Sequence, residues 1–193
     1  MSHVSKSSFA PRARAVASTL AVLSLMGGTL LAGCGGSGNG TSSNNSSGSG
    51  SGGVTATFSN ASGTNANTAA FQSTRVAAIT SSAAITLLNI TGTNISGATS
   101  RTFMIVLADN GPIQAGKTYT FASPSASVLS YTESAGATAH GWTAAGGSAI
   151  VDSITGKNYK IRLVNAAFTT GDGNDSGATG SFTVNGTADA TLP

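Results

Sequence analysis

Charge is scarce in this chain: Asp, Glu, Lys and Arg together make up 8% of its 193 residues. The little charge present is also unevenly placed. Lys6, Arg12 and Arg14 precede Cys34 with no acidic residue among them, while the other six basic side chains and all six acidic ones follow it. Beyond residue 33 the side chains therefore sum to zero charge. A nucleic-acid binder needs a basic stripe to neutralise phosphates, so that class is excluded. Cysteine occurs once, at Cys34, which leaves no disulfide and no thiolate cluster to staple a fold. Good helix formers are few, and 26 glycines recur too often for long helices. Catalytic signatures are missing as well. There is no Gly-x-Ser-x-Gly elbow and no His-Glu-x-x-His, and His140 is the only histidine after Cys34. The chain is read as a non-enzyme with no cofactor. Glu133 and Asp152 could be drawn as a glycosidase pair only because acids are so few.

What is present begins with an export address at residues 1–33. A basic start (Lys6, Arg12, Arg14) leads into an apolar run from Ala15 to Met26, then Gly27-Gly28-Thr29 and Leu30-Leu31-Ala32. That order is the three-part build of a signal peptide. The run is shorter than the roughly 20 apolar residues of a spanning helix. Gly27-Gly28 weakens its helix, since each glycine costs about 1 kcal/mol relative to alanine. No basic stop-transfer cluster follows. Arg12-Ala13-Arg14 is not a twin-arginine pair, which favours the general export route.

Leu31-Ala32-Gly33-Cys34 resembles the lipobox of bacterial lipoprotein precursors. The alternative is an ordinary secretory signal with a chance cysteine. The resemblance covers about the first 34 residues. It implies that the Cys34 thiol takes a diacylglycerol, that the signal is cut before it, and that the freed amine is acylated. Sulfur suits this chemistry because the thiolate is nucleophilic near neutral pH. The partner implied is the lipid bilayer, reached through acylated Cys34. Gly35 follows where an aspartate usually retains such proteins at the inner membrane, so the family pattern implies the outer membrane if the source has two.

Residues 35–53 are Gly, Ser, Asn and Thr only. With no apolar side chain to bury, nothing offsets the entropy of ordering them. A flexible linker of 19 residues is expected, spanning roughly 20–25 Å. Residues 34–53 thus form a lipidated cysteine plus tether, and residues 54–193 the folded domain, expected to be monomeric.

In the domain, short β-branched runs alternate with Gly, Asn, Asp and Ser breaks, which predicts an all-β fold. Strands are expected at 54–59, 71–80, 84–91, 101–108, 117–121, 127–132, 147–153, 159–169 and 179–188. A turn is expected at Gly92-Thr93-Asn94 and another at Asp109-Asn110-Gly111-Pro112. Period-2 alternation turns Tyr119 and Phe121, Tyr159, Ile161 and Leu163, and Phe182 and Val184 inward. Asn185-Gly186 reads as a bend or bulge. With about eight or nine strands, mostly in hairpins, an antiparallel β-sandwich is predicted, with a β-barrel as the alternative. From Trp142 through 180–187 the chain loosely resembles the C-terminal half of small β-rich bacterial lipoproteins, a likeness that implies no activity.

Two clusters carry candidate chemistry. Gly171-Asp172-Gly173-Asn174-Asp175 resembles one calcium-binding nonapeptide of the repeats-in-toxin type, with hard oxygens from Asp172, Asn174 and Asp175. Such repeats work by stacking, so a single copy is read in preference as a polar hairpin loop. His140 and Trp142 fall on one face of a strand; the favoured reading is a lone core tryptophan, and the alternative is a glycan platform. Three readings follow: an envelope lipoprotein whose β-domain is a structural or binding module for a glycan or envelope protein, a carbohydrate-binding module, and, least favoured, a hydrolase.

Overall fold

The computed structural model describes residues 52–82, 84–170 and 176–193. The address segment, Cys34, nearly all of the tether, and Asp172, Asn174 and Asp175 lie outside the described residues. Ten strands follow in chain order: β1 (Val54–Ser62), β2 (Phe71–Gln72), β3 (Arg75–Ser82), β4 (Thr86–Ser96), β5 (Thr99–Asp109), β6 (Thr118–Thr120), β7 (Val128–Ala135), β8 (Thr138–Thr155), β9 (Asn158–Thr169) and β10 (Ser181–Thr191). No helix occurs among the described residues. The all-β antiparallel fold expected from the alternation is the one observed.

All ten strands belong to one antiparallel sheet, in the order β2-β1-β10-β9-β8-β7-β5-β4-β3, with β6 on β8. The two ends of that path are consecutive in sequence. Ser73 and Thr74 link β2 to β3; the Ser73 amide donates to Val54 O on β1, and the Thr74 amide to Thr93 O on β4. Residues 71–82 thus act as one broken strand whose first part pairs with β1 and whose second part pairs with β4. β6 and β7 likewise lie end to end along β8. The sheet opposes two halves of its own inner face across one core, as in a sandwich. Its ends meet at Ser73-Thr74, as in an eight-position up-and-down barrel.

Alternation decides which side chains fill it. Phe103, Ile105 and Leu107 of β5, Leu129 and Tyr131 of β7, Ile161 and Leu163 of β9, and Phe182 and Val184 of β10 are all buried. Seven aromatic rings, one from each of seven strands, meet in the middle. Phe103 of β5 lies 6.1 Å from Phe168 of β9 and 6.0 Å from Phe58 of β1, contacts made across the core between strands that are not neighbours in the sheet. Each fully buried large apolar side chain contributes about 1.5–3 kcal/mol, so this cluster, without any disulfide, is a main source of stability. Asn165 sits at φ 47 and shifts the phase of β9, so that Ala166 and Phe168 point inward after Leu163. The ladder slips at Val184/Gly186, where the sequence placed a bulge.

Two expectations are corrected. The turn expected at Gly92-Thr93-Asn94 is not there: β4 runs through it to Ser96, and the chain reverses at Gly97-Ala98. Gly92 is glycine because Val54 packs against it, not because the chain turns. The single strand expected at 71–80 is two, divided where the backbone changes partner from β1 to β4.

A candidate binding mouth

β1, β4, β7 and β9 all run toward one end of the barrel, which carries segment 63–70, the turns at Gly97 and Gly136, and residues 176–180 leading into β10. At this mouth four residues stand in one row across the sheet: Asn94 opposite Arg101, Arg101 opposite Glu133, and Glu133 opposite His140. Arg101, Glu133 and His140 each lie two residues from a core aromatic, Phe103, Tyr131 and Trp142, so they share its inward phase. They are the polar continuation of the aromatic core.

Segment 63–70 crosses the mouth. Arg101 Nη2 donates to Asn67 O (2.9 Å) and Ala69 O (2.6 Å), and Nη1 to Ala70 O (3.3 Å). Its Nε donates to the Tyr131 hydroxyl at 2.7 Å. That hydroxyl donates in turn to Glu133 Oε1 at 2.5 Å, which also accepts the Asn67 amide at 2.7 Å. Burial, and then the bond to Glu133, push the Tyr131 phenol far above its ordinary range, so it is a fixed donor rather than a base. His140 Nδ1 lies 2.7 Å from Ser176 O. A carbonyl only accepts, so Nδ1 is the donor in this contact. Asn65 ties the segment to the β9–β10 connection, donating to Gly177 O and accepting from the Thr179 amide.

A pocket of ≈ 170 Å³ opens beside the row, lined by Arg101, Glu133 and His140 with hydroxyls from Thr99, Ser134 and Thr138. A larger, shallow groove of ≈ 640 Å³ lies over β1, β10 and β9 around Gly186. Its one ionic side chain, Arg162, is already paired with Asp152 at 2.9 Å. The mouth is the better site because its polar groups converge.

The structure separates the sequence candidates. His140 reaches the mouth, half-buried. Trp142 does not: it is 1% exposed, tilted against Tyr131 and edge-on to Phe182, with Nε1 donating to Thr179 O at 3.1 Å. A sugar platform needs an open ring face, so Trp142 is the core tryptophan. Glu133 and Asp152 do not form a pair. Glu133 is at the mouth, whereas Asp152 is bonded to Arg162. Asp152 lies twelve residues beyond His140 along β8, roughly 40 Å of strand, while glycosidase carboxylates stand about 5–10 Å apart. Among the described residues no three His, Cys, Asp or Glu side chains gather as a metal would need.

Sequence reading passed over Arg101, Tyr131 and Asn67. One signal was available: Arg101 has the same period-2 phase as Phe103, Ile105 and Leu107, and a cation in phase with a core needs a built environment. Compared with family models, curated proteins and solved structures, the chain matches none of them.

Proposed function

We propose that the chain is a cell-envelope lipoprotein, held in the bilayer by acylated Cys34, whose β-domain is a structural or binding module presented on a flexible tether. The observation that carries this reading is the order of three segments: a signal-like address, Leu31-Ala32-Gly33-Cys34, and a tract of Gly, Ser, Asn and Thr that ends where β1 begins at Val54. β1 then runs from Val54 to Ser62, where segment 63–70 begins. No helix among the described residues is long and apolar enough to cross a membrane. In this reading attachment comes from acyl chains. One chain binds marginally and two or more bind stably, at about 0.8 kcal/mol per buried CH₂. Diacylglycerol on sulfur plus an acylated amine supplies three. In a source with two membranes, the absence of aspartate after Cys34 directs the protein to the outer one.

The test is the N-terminal peptide of the mature protein by mass spectrometry. Triacylated Cys34 is expected, and Cys34→Ser should accumulate the uncleaved precursor. An unmodified Cys34 at the N-terminus, or cleavage at another bond, overturns the proposal.

A further inference from the structure

We infer that Arg101 fills a guanidinium-binding site built by its own chain, and that this contact latches segment 63–70 as a lid over the mouth. The guanidinium has five N–H donors, and four hydrogen bonds are made: to Tyr131 Oη and to three lid carbonyls, those of Asn67, Ala69 and Ala70. Around its flat faces stand Phe58, Phe71 and Tyr131, with centroids 5.5, 5.5 and 5.7 Å from Cζ. Among the described residues no carboxylate forms an ion pair with it; Glu133 is linked to it through the Tyr131 hydroxyl. The charge is therefore held by carbonyl dipoles and ring faces, as a receptor holds a cationic ligand, rather than by an ion pair. The fork geometry selects a planar guanidinium over an ammonium, whose donors are fewer and tetrahedral.

The lid depends on this contact. Segment 63–70 has no strand pairing of its own. Three of its carbonyls converge on one side chain; its other contacts include the Asn67 amide on Glu133, Asn67 O at 3.3 Å from the Tyr131 hydroxyl, the Asn65 side chain on Gly177 and Thr179, and Ala66 packed on the core. With the side chain removed, the cage keeps its rings and carbonyls and becomes a site for a free guanidinium-type cation.

Thermal unfolding of the full chain carrying Arg101→Ala tests the site. The variant should melt below the wild type. Guanidinium chloride up to about 20 mM should raise its Tm by several degrees through mass action. Equal sodium chloride or methylammonium chloride should not, nor should guanidinium raise the wild type. Absence of the guanidinium effect overturns the site. Arg101→Lys keeps the charge and tests the latch even if the alanine variant fails to fold. In hydrogen exchange, the amides of Asn67 and Ala69 should open about tenfold faster than in the wild type while β5 and β7 amides are unchanged. Unchanged lid exchange in Arg101→Lys shows that a point charge suffices and overturns the latch.

Discussion

Gly92 on β4 lies against Val54 on β1, so closely that a Cβ added at Gly92 would fall 2.5 Å from Val54 Cβ and Cγ2. The two strands are not hydrogen-bonded neighbours; they meet at the seam that Ser73-Thr74 closes. Val54 is fully buried and β-branched, so it has no free rotamer into which to retreat.

Gly92→Ala should therefore destabilise the domain by about 1–3 kcal/mol through overpacking. Gly141→Ala serves as the control: nothing lies within 4 Å of its added Cβ, and strand residues tolerate alanine. Chemical unfolding of the two variants should separate them, and equal midpoints would mean that the seam is looser than described.

Truncation of the core should be costlier. Leu163 and Phe182 are 1% and 2% exposed, and replacing either with alanine should cost about 2–5 kcal/mol. Wild-type melting of both variants would put these strands out of register by one residue.

Stability should also fall at both pH extremes, with separable causes. Burial, and then the bond to Asp109, push Tyr119 up to about 12, against about 10 in an unfolded chain. Between those values the unfolded state loses a proton that the folded state keeps, so stability is full below pH 10 and falls as pH rises toward 12. Tyr131 acts in the same direction. Tyr119→Phe and Tyr131→Phe should each flatten the alkaline limb of a Tm–pH curve. On the acid side Lys117, and then Tyr119, hold Asp109 below the usual carboxylate range, and Arg162 does the same for Asp152. Their contribution is present above about pH 4 and is lost as pH falls through the lowered folded values. Asp109→Asn should remove part of that acid dependence.

Read as a hairpin loop, the segment holding Asp172, Asn174 and Asp175 gives calcium nothing to stabilise. Millimolar Ca²⁺ should leave Tm unchanged. A rise of several degrees that Asp175→Ala abolishes would instead identify a site, since only binding to the folded state shifts the midpoint.

Much of the fold was legible because alternation is a local signal. Phe103, Ile105 and Leu107 announce their face without any knowledge of neighbours, and Asn185-Gly186 marks its own bulge. What alternation cannot report is who sits opposite. Gly92 reads as a turn until Val54, 38 positions earlier, is seen against it. Trp142 reads as core, with a platform as the alternative, and its burial bears out the core reading. The mouth was harder still, because its partners for Arg101 are backbone carbonyls of Asn67, Ala69 and Ala70. A carbonyl is the same in every residue, so no side-chain pattern could have named them.

The pairing of Val54 with Ala188 also sets an order of events in time. A chain made from its N-terminus presents β1 first, and β1 finds only the two residues of β2 beside it until β10 has been made. The ring then closes across more than 130 positions, a long loop whose entropy must be met before its contacts form. Hairpins such as β4–β5 and β8–β9 can assemble early and locally, whereas the seam is the late step. Non-local pairing of this kind slows folding. Truncation of β10 should therefore leave β1 with an unpaired edge in an otherwise assembled meander, open to pairing with another chain.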